Sequence, residues 1–507
     1  MVSEVGGVSE GTRLSPVQWV GLVLGIALFI LFLLLPPIAP LTPLGMKSVA
    51  VFFLFICWLA TTPMPLYVVA FFCLALFVIT GVLGADKAFG YLGYWVVPFL
   101  IGAFALGGNL QRTGIARRLA LRVCSLPFVQ GRPWVFFTVF LLTTGLSGLF
   151  LPSPTVSAVV FTSVLISFFT SIGIEKGDRF AGLLVLATAW AAVMGARIAP
   201  WGAAGTLVGI GITQQVTGYQ IGLFEWTIYG LVSFFINFAI MMLVSRFLLK
   251  LPTERLAAAL RPEFIQQERD KLGPITSGEK AALFYMGLAI VLWFTPELVS
   301  ITIGGPIAEW MKASLPWGAV ALVVAALCTM TPVTIGGKRR MLLTWQEWVQ
   351  AMEWGLIGLV AAGIALGDIM SNEATGIPTL FMNTVGGLVQ GGGGEYLLVF
   401  LMTVPGIWLT EPLSNMALIT ILLPLGLTLS ITSGIANPVA MAIVAIMAYS
   451  QSYALPLSPP LAIAFGTGWV RPGDAMKLGF LIDTVIGLAL CFLVYTFMKL
   501  FIPLPPF

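Results

Sequence analysis

Of the chain's 507 residues only 9% are charged while 59% are hydrophobic, and its mean hydropathy of +1.01 lies far outside the range of water-soluble domains. With no histidine, zinc chemistry of the HExxH kind, a Ser-His-Asp triad and a histidine proton relay are all excluded; the five cysteines (Cys57, Cys73, Cys124, Cys328, Cys491) have no CxxC spacing and supply neither a disulfide framework nor a metal centre. A formal charge of +4 is ordinary for a membrane protein with basic cytoplasmic loops and calls for no nucleic-acid partner.

Runs of about 20 apolar residues, enough to cross a ~30 Å hydrocarbon core at 1.5 Å per residue, recur along the chain and predict an all-α polytopic membrane protein with about 11 transmembrane helices. Residues 1–47 hold an N-terminal helix and lead. The apolar run 17–35 follows Glu4, Glu10 and a lone Arg13 rather than a basic stretch, so it is read as a retained helix and not a signal peptide. Residues 48–249 open with spans at 48–60 and 66–83 and a long segment from Tyr94 that turns basic at Arg112. Two apolar stretches, 134–150 and 156–169, are then too short to span separately. Leu151-Pro152-Ser153-Pro154-Thr155 joins them, which predicts a re-entrant hairpin with its tip at 151–155, because broken backbone at membrane depth survives only where it lines a cavity. A helix over 180–212 is interrupted at 200–206, and a sixth span covers 226–249. The polar stretch 250–280 reads as a cytoplasmic linker.

Residues 281–507 repeat the plan. Spans at 281–294 and 317–331 and a long helix from Trp354 precede apolar arms at 396–409 and 417–429 around a second tip, 410–416; a helix from Pro438 is then broken at 455–460, and a last span covers 476–497. At an offset of about 261 residues Gly107 pairs with Gly367, Thr113-Gly114 with Thr375-Gly376, Ser153 with Ser414, and Gly205-Thr206 with Gly466-Thr467, which marks two repeats. With the N-terminus inside and the C-terminus outside, most basic residues, among them Arg112, Arg118, Arg132, Lys176, Arg179 and Lys338, fall on the cytoplasmic side of what is expected to be the inner membrane; Lys47, Lys87, Lys312 and Lys499 fall outside. The two hairpins then open to opposite sides, so the repeats are inverted.

Helix N-termini at the tips and breaks offer free N–H groups to an anion, and helix C-termini offer carbonyls to a cation. The side chains there are hydroxyls and one amide: Ser153, Thr155, Thr206, Thr410, Ser414, Asn415, Ser458 and Thr467. Ionisable groups at membrane depth are functional candidates by default. Arg197, just before the first break, can face a substrate carboxylate or pair with Glu411. Asp483 lies inside the last span, and Asp368 and Glu373 are expected at an interface.

Thr410-Glu411-Pro412-Leu413-Ser414-Asn415-Met416 resembles the T-E-x-x-S-N-T hairpin signature of the divalent anion/sodium symporter family, which carries dicarboxylates, citrate and sulfate. Ser458-Pro459-Pro460-Leu461-Ala462-Ile463-Ala464-Phe465-Gly466-Thr467-Gly468 is similar to that family's T-P-P-N-A-I-V-F-G-[ST]-G, and Gly205-Thr206-Leu207-Val208-Gly209 to its G-T-L-I-G. The resemblance implies an elevator-type homodimer in the lipid bilayer whose protomers hold a small anionic substrate and sodium. It places Ser153, Thr155, Thr206, Ser414, Asn415 and Pro459, with Arg197, around the substrate. Thr410 and Asn415, with the carbonyls of Leu413 and Leu457, fall around a sodium ion; no other cofactor is implied. The departures are specific. Pro154 stands where an asparagine is usual in the first tip, Leu149 where a sodium-binding serine is usual, Met416 for a threonine, Leu461 for an asparagine, and Ile210-Gly211-Ile212 for T-P-P. One cation site is therefore expected. The function expected is secondary active transport of a di- or tricarboxylate, or an oxyanion such as sulfate, coupled to sodium. A proton-coupled carrier or an exchanger on the same fold are the alternatives, with an anion channel or a membrane-embedded enzyme as rivals of another class. The enzyme lacks any catalytic constellation.

Overall fold

The computed structural model describes residues 14–115, 118, 122, 126, 129, 132–248, 273–335, 337–389 and 394–502. Most of the expected linker, 250–272, lies outside the described residues, as does Cys124. The first helices start where the local chemistry dictates. Pro16–Leu34 opens on a Ser15/Gln18 capping box, and Pro43–Thr61 opens with the Thr42 hydroxyl accepting from Gly45 N–H, each with proline in its first turn where no N–H is missed. The second helix thus begins before residue 47, so the expected division at 47/48 falls inside a helix. Leu66–Ile79 and Val96–Thr113 follow.

The first hairpin is built from Pro133–Leu146 and Pro154–Ser171, the first broken helix from Arg179–Gly195 and Ala204–Thr217, and the long helix Leu223–Leu248 closes the first half. Its start is held by Glu297 of the helix Ser277–Thr302, whose carboxylate accepts from the N–H groups of Leu223 (2.7 Å) and Phe224 (2.9 Å). In the second half, Trp317–Thr329 and Gly355–Ser371 precede a second hairpin (Gly394–Thr410 and Asn415–Ser433), a second broken helix (Pro438–Tyr449 and Pro459–Gly466) and a last helix beginning Pro472–Ala489.

Among the described residues seven helices are long and apolar enough to cross a membrane, or nine if each of two bent pairs is one crossing. The eleven crossings expected are reached when both hairpins are taken as re-entrant, which removes Asn415–Ser433 from the nine, and Leu66–Ile79 and both broken helices are added. Large apolar side chains on the long helices are left uncovered by protein, Ile79 (78% exposed) and Ile301 (73%) among them, as lipid-facing positions require. Among the described residues several elements did not come from the sequence: Gly305–Ser314, bent 54° from Trp317–Thr329; an antiparallel pair of strands, Pro332–Ile335 and Lys338–Met341, with Ile335 opposite Lys338; Trp345–Ala351, bent 47° from Gly355–Ser371; and the helices Ala85–Gly90 and Ile377–Val389. That strand pair is the one departure from an all-α chain among the described residues.

The two halves exchange partners. Leu66–Ile79 packs on Gly355–Ser371, while Trp317–Thr329 packs on Val96–Thr113. Pro154–Ser171 lies against Pro459–Gly466, and Ala204–Thr217 against Asn415–Ser433. The first parts of both broken helices, Arg179–Gly195 and Pro438–Tyr449, are buried on almost every side and form the core. Helices solvated by lipid associate through close contact of small residues, and the first hairpin meets the first broken helix in this way. A Cβ on Gly195 would stand 1.9 Å from the Gly145 carbonyl oxygen, and one on Gly148 2.1 Å from that of Gly195, so only glycine permits the approach. Asp368, expected at an interface, ties the halves by an ion pair to Lys87 (2.7 Å).

Candidate functional site

Two hairpin tips and two helix breaks meet. The first tip turns through residues 150–153 and the helix restarts at Pro154, so Pro154 and Thr155 of the expected tip are already helical. Ser147 Oγ lies 3.0 Å from Ser157 Oγ and donates to the Thr144 carbonyl (2.7 Å), while the Leu149 carbonyl accepts from Trp201 Nε1 (3.1 Å). The oxygens of Ser147 and Leu149 are therefore engaged within the protein. The second tip keeps Thr410 in the incoming arm and restarts at Asn415, leaving only 411–414 as turn.

Both breaks begin earlier than expected. The first runs over 196–203 rather than 200–206, because Pro200 has no N–H and its ring excludes the carbonyl four residues back. The second runs over 450–458 rather than 455–460, and its cause is distant in sequence. Glu411, 1% exposed, accepts from the N–H groups of Tyr453 (2.6 Å) and Ala454 (2.9 Å) at one oxygen and Leu455 (2.6 Å) at the other. In a continuous helix the last two of these donors would have served the carbonyls of Ser450 and Gln451. Those carbonyls are instead taken by Arg197 Nη1 (3.4 Å) and by the Thr410 hydroxyl, which also donates to Ile407 O (2.6 Å). Donors and acceptors freed by the break are both satisfied, as broken backbone away from water requires.

Arg197, 3% exposed, also donates through Nη2 to the Tyr453 hydroxyl (2.9 Å), which donates to Gln451 Oε1 (2.6 Å). The direct Arg197–Glu411 pair, one of two expected roles, is not formed; residue 453 bridges them, by its hydroxyl to the guanidinium and by its N–H to the carboxylate. Gly205 joins the first break to the second half, since a Cβ there would lie 2.7 Å from Ile419 Cδ1 and 3.6 Å from Ser450 Oγ.

Four helices restart at this junction, at Pro154, Ala204, Asn415 and Pro459, and in none does the preceding residue's side chain cap the helix. Ser153 and Ser414 are half-buried with no capping bond, and Thr155 and Asn415 are half-buried with no side-chain hydrogen bond to any described residue. Thr206 is fully buried, and the hydroxyls of Thr206 and Ser458 have no partner among the described residues. Pro459 is exposed, and the Leu457 side chain is 65% exposed. The Thr410 hydroxyl donates to the carbonyls of residues 407 and 451, not to those of Leu413 or Leu457. The sequence reading overlooked Tyr453 and Gln451, although the polar run Ser450-Gln451-Ser452-Tyr453 just before Leu455-Pro456 marked them.

A helical membrane protein that gathers hairpin tips and helix breaks into one buried polar junction has the construction of a secondary transporter. The match to the sodium:sulfate symporter transmembrane region spans residues 16–503, and the chain belongs to that family. It is an integral membrane transporter and not an enzyme. It is similar to the sodium-dependent dicarboxylate transporter SdcS of Staphylococcus saprophyticus, with 26% identity over 94% of this chain and 91% of the relative, and to SdcS of Staphylococcus aureus strain USA300, with 24% identity over 95% and 92%. Among solved structures, Neisseria gonorrhoeae MtrF, described as one of a class of antimetabolite efflux pumps, shares the fold at a TM-score of 0.53 and 14% identity, over 96% of this chain and 98% of its own.

Proposed function

We propose that the chain is a secondary active transporter of a small anion, a di- or tricarboxylate or an oxyanion such as sulfate, coupled to sodium. The observation that carries this reading is the set of four uncapped helix N-termini beside buried Arg197, since free N–H groups and a guanidinium form a cradle for carboxylate or sulfate oxygens. Ser153, Thr155, Thr206, Ser414, Asn415 and Pro459 line this cradle, with Arg197 behind it. Thr410 and Asn415, with the carbonyls of Leu413 and Leu457, hold the cation. The curated relatives, named for sodium-dependent dicarboxylate transport, favour the carboxylate class. The exchange of partners between halves supports two inverted repeats, 48–249 and 281–507; in this proposal they act as an elevator in a homodimer of the inner membrane, N-terminus inside and C-terminus outside. The test is uptake of labelled succinate, citrate and sulfate by purified protein in liposomes, with sodium and proton gradients imposed separately. Flux without saturation or gradient dependence would instead mark a channel.

Sodium activation of uptake is expected to be shallow, with a Hill coefficient of about one for a single site. At the first tip Pro154 has no amide, the Leu149 carbonyl is taken by Trp201, and Ser147 is bonded to Ser157, so Pro154→Asn alone will not steepen the curve. A coefficient clearly above two in the unmodified protein would reveal cation ligands elsewhere. Asn415→Ala is expected to slow uptake about tenfold, the loss of one hydrogen bond to a charged ligand. Uptake within twofold of normal would remove Asn415 from the site.

A further inference from the structure

Asp483 lies on the last helix, fully buried, and neither of its oxygens has a hydrogen-bond partner among the described residues. Its position is fixed by the residue one turn earlier, because a Cβ on Gly479 would stand 2.3 Å from the Tyr453 carbonyl oxygen and from the Ala454 Cα. The same face of the last helix therefore rests on the second break, which brings Asp483 to residues 453–454 and to the Glu411 carboxylate that accepts their N–H groups. Other elements packed on the last helix bring no second cation to Asp483 among the described residues. Arg179 at the start of the first broken helix is bonded to Asp474 (2.9 Å), Arg246 of Leu223–Leu248 stacks over Trp134, Glu225 of that long helix accepts from the Tyr219 hydroxyl (3.0 Å), and Glu395 of Gly394–Thr410 is paired with Lys499 (3.1 Å). The junction thus holds one buried cation, Arg197, and two buried carboxyl groups.

The hydrogen bonds distinguish the two acids. Glu411 accepts three backbone N–H groups and has no proton to spare for them, whereas Asp483 accepts nothing. A carboxylate buried without any donor bears its full desolvation penalty, and beside a second carboxylate it also meets a like charge. With one proton on Asp483 both problems are removed, for the acid's O–H then donates to Glu411 and the charges of Arg197 and Glu411 balance.

We propose that Asp483 is a proton-binding site of the transport machinery, taking one proton from solution to become a neutral acid hydrogen-bonded to Glu411, and that its loading is coupled to anion transport. Release of the proton places a second negative charge beside the carboxylate that holds residues 453–455, so the second break and the cradle it borders respond to proton occupancy. Coupling to transport rests on the function proposed above; proton binding itself does not.

Two measurements separate these. Infrared spectra of the purified protein at neutral pH are expected to contain a carboxylic-acid carbonyl band that is missing in Asp483→Asn and displaced in Asp483→Glu. In liposomes, an inward proton gradient is expected to accelerate succinate uptake by about fivefold or more in the unmodified protein, with the ratio of rates with and without the gradient falling to one in Asp483→Asn. An identical band in all three proteins overturns the site, and a pH-gradient response that persists in Asp483→Asn overturns the coupling. If no anion is taken up under any gradient, the transport reading fails while the infrared comparison still decides whether Asp483 carries the proton. Should Asp483→Asn not fold, Asp483→Glu serves alone, and an undisplaced band then overturns the proposal.

Discussion

Uptake by the Glu411→Gln protein is expected to fall by about two orders of magnitude, although the change removes no more than a charge and one acceptor. The glutamate oxygens accept from three consecutive backbone N–H groups at 2.6–2.9 Å in a site closed to water. Glutamine would turn an NH₂ donor toward at least one of those donors, leaving a buried N–H unpaired and another repelled. Hydrogen bonds to a charged group are each worth about 1.5–3 kcal/mol, and 1.4 kcal/mol is tenfold, so losing one or two of them accounts for a change of this size. The defect is expected in the site rather than in assembly, since the helix before the second break, Pro438–Tyr449, is buried on every side. Initial rates in liposomes, alongside the elution profile and melting temperature in detergent, test this; near-normal uptake would mean that residues 453–455 keep their shape without the carboxylate.

Arg197→Met is expected to abolish measurable uptake and to destabilise the protein by about 3–5 kcal/mol, the cost of leaving a buried charge without its counterpart. Arg197→Lys is expected to fold and to transport roughly tenfold more slowly. Lysine keeps the charge but not the planar fork, which reaches the Tyr453 hydroxyl through one nitrogen and the Ser450 carbonyl through the other. An ammonium can satisfy one of these geometries and not both. The ordering unmodified, then lysine, then methionine is what matters. Equal activity of the two variants would reduce Arg197 to packing.

Much of this was legible in the sequence, for local reasons. Pro152, Pro154, Pro200 and Pro456 cannot continue a helix, and apolar arms too short to cross the membrane on either side of a proline-rich tip have few alternatives to a hairpin. The common offset made the pattern visible twice. What escaped is held by contacts across long separations. The second break starts at residue 450 because of a carboxylate in the hairpin before it, and Arg197 turns to Tyr453 rather than to Glu411 because the backbone of residues 453–455 reaches that carboxylate first. No periodicity encodes such choices. The strand pair at 332–341 escaped for the opposite reason, being a short polar excursion with Gly337 at its turn between two apolar segments.

The exchange of partners between the halves also bears on how such a site can change by descent. If the halves were two copies of one shorter chain, every substitution would appear at both tips, and proline at the position of Pro154 would also remove the amide supplied by Asn415. Joined in one polypeptide, the tips vary independently. Leu149 and Thr410 stand at equivalent positions, as do Pro154 and Asn415, and in each pair the first half carries an apolar residue and the second a polar one. Each tip still packs on elements of the other half, so the first can lose ligands while remaining a wall for the second. If the halves are repeats and the function is the one proposed above, such a chain can thus alter how many ions it carries one residue at a time without first abandoning the shape that lets it move them.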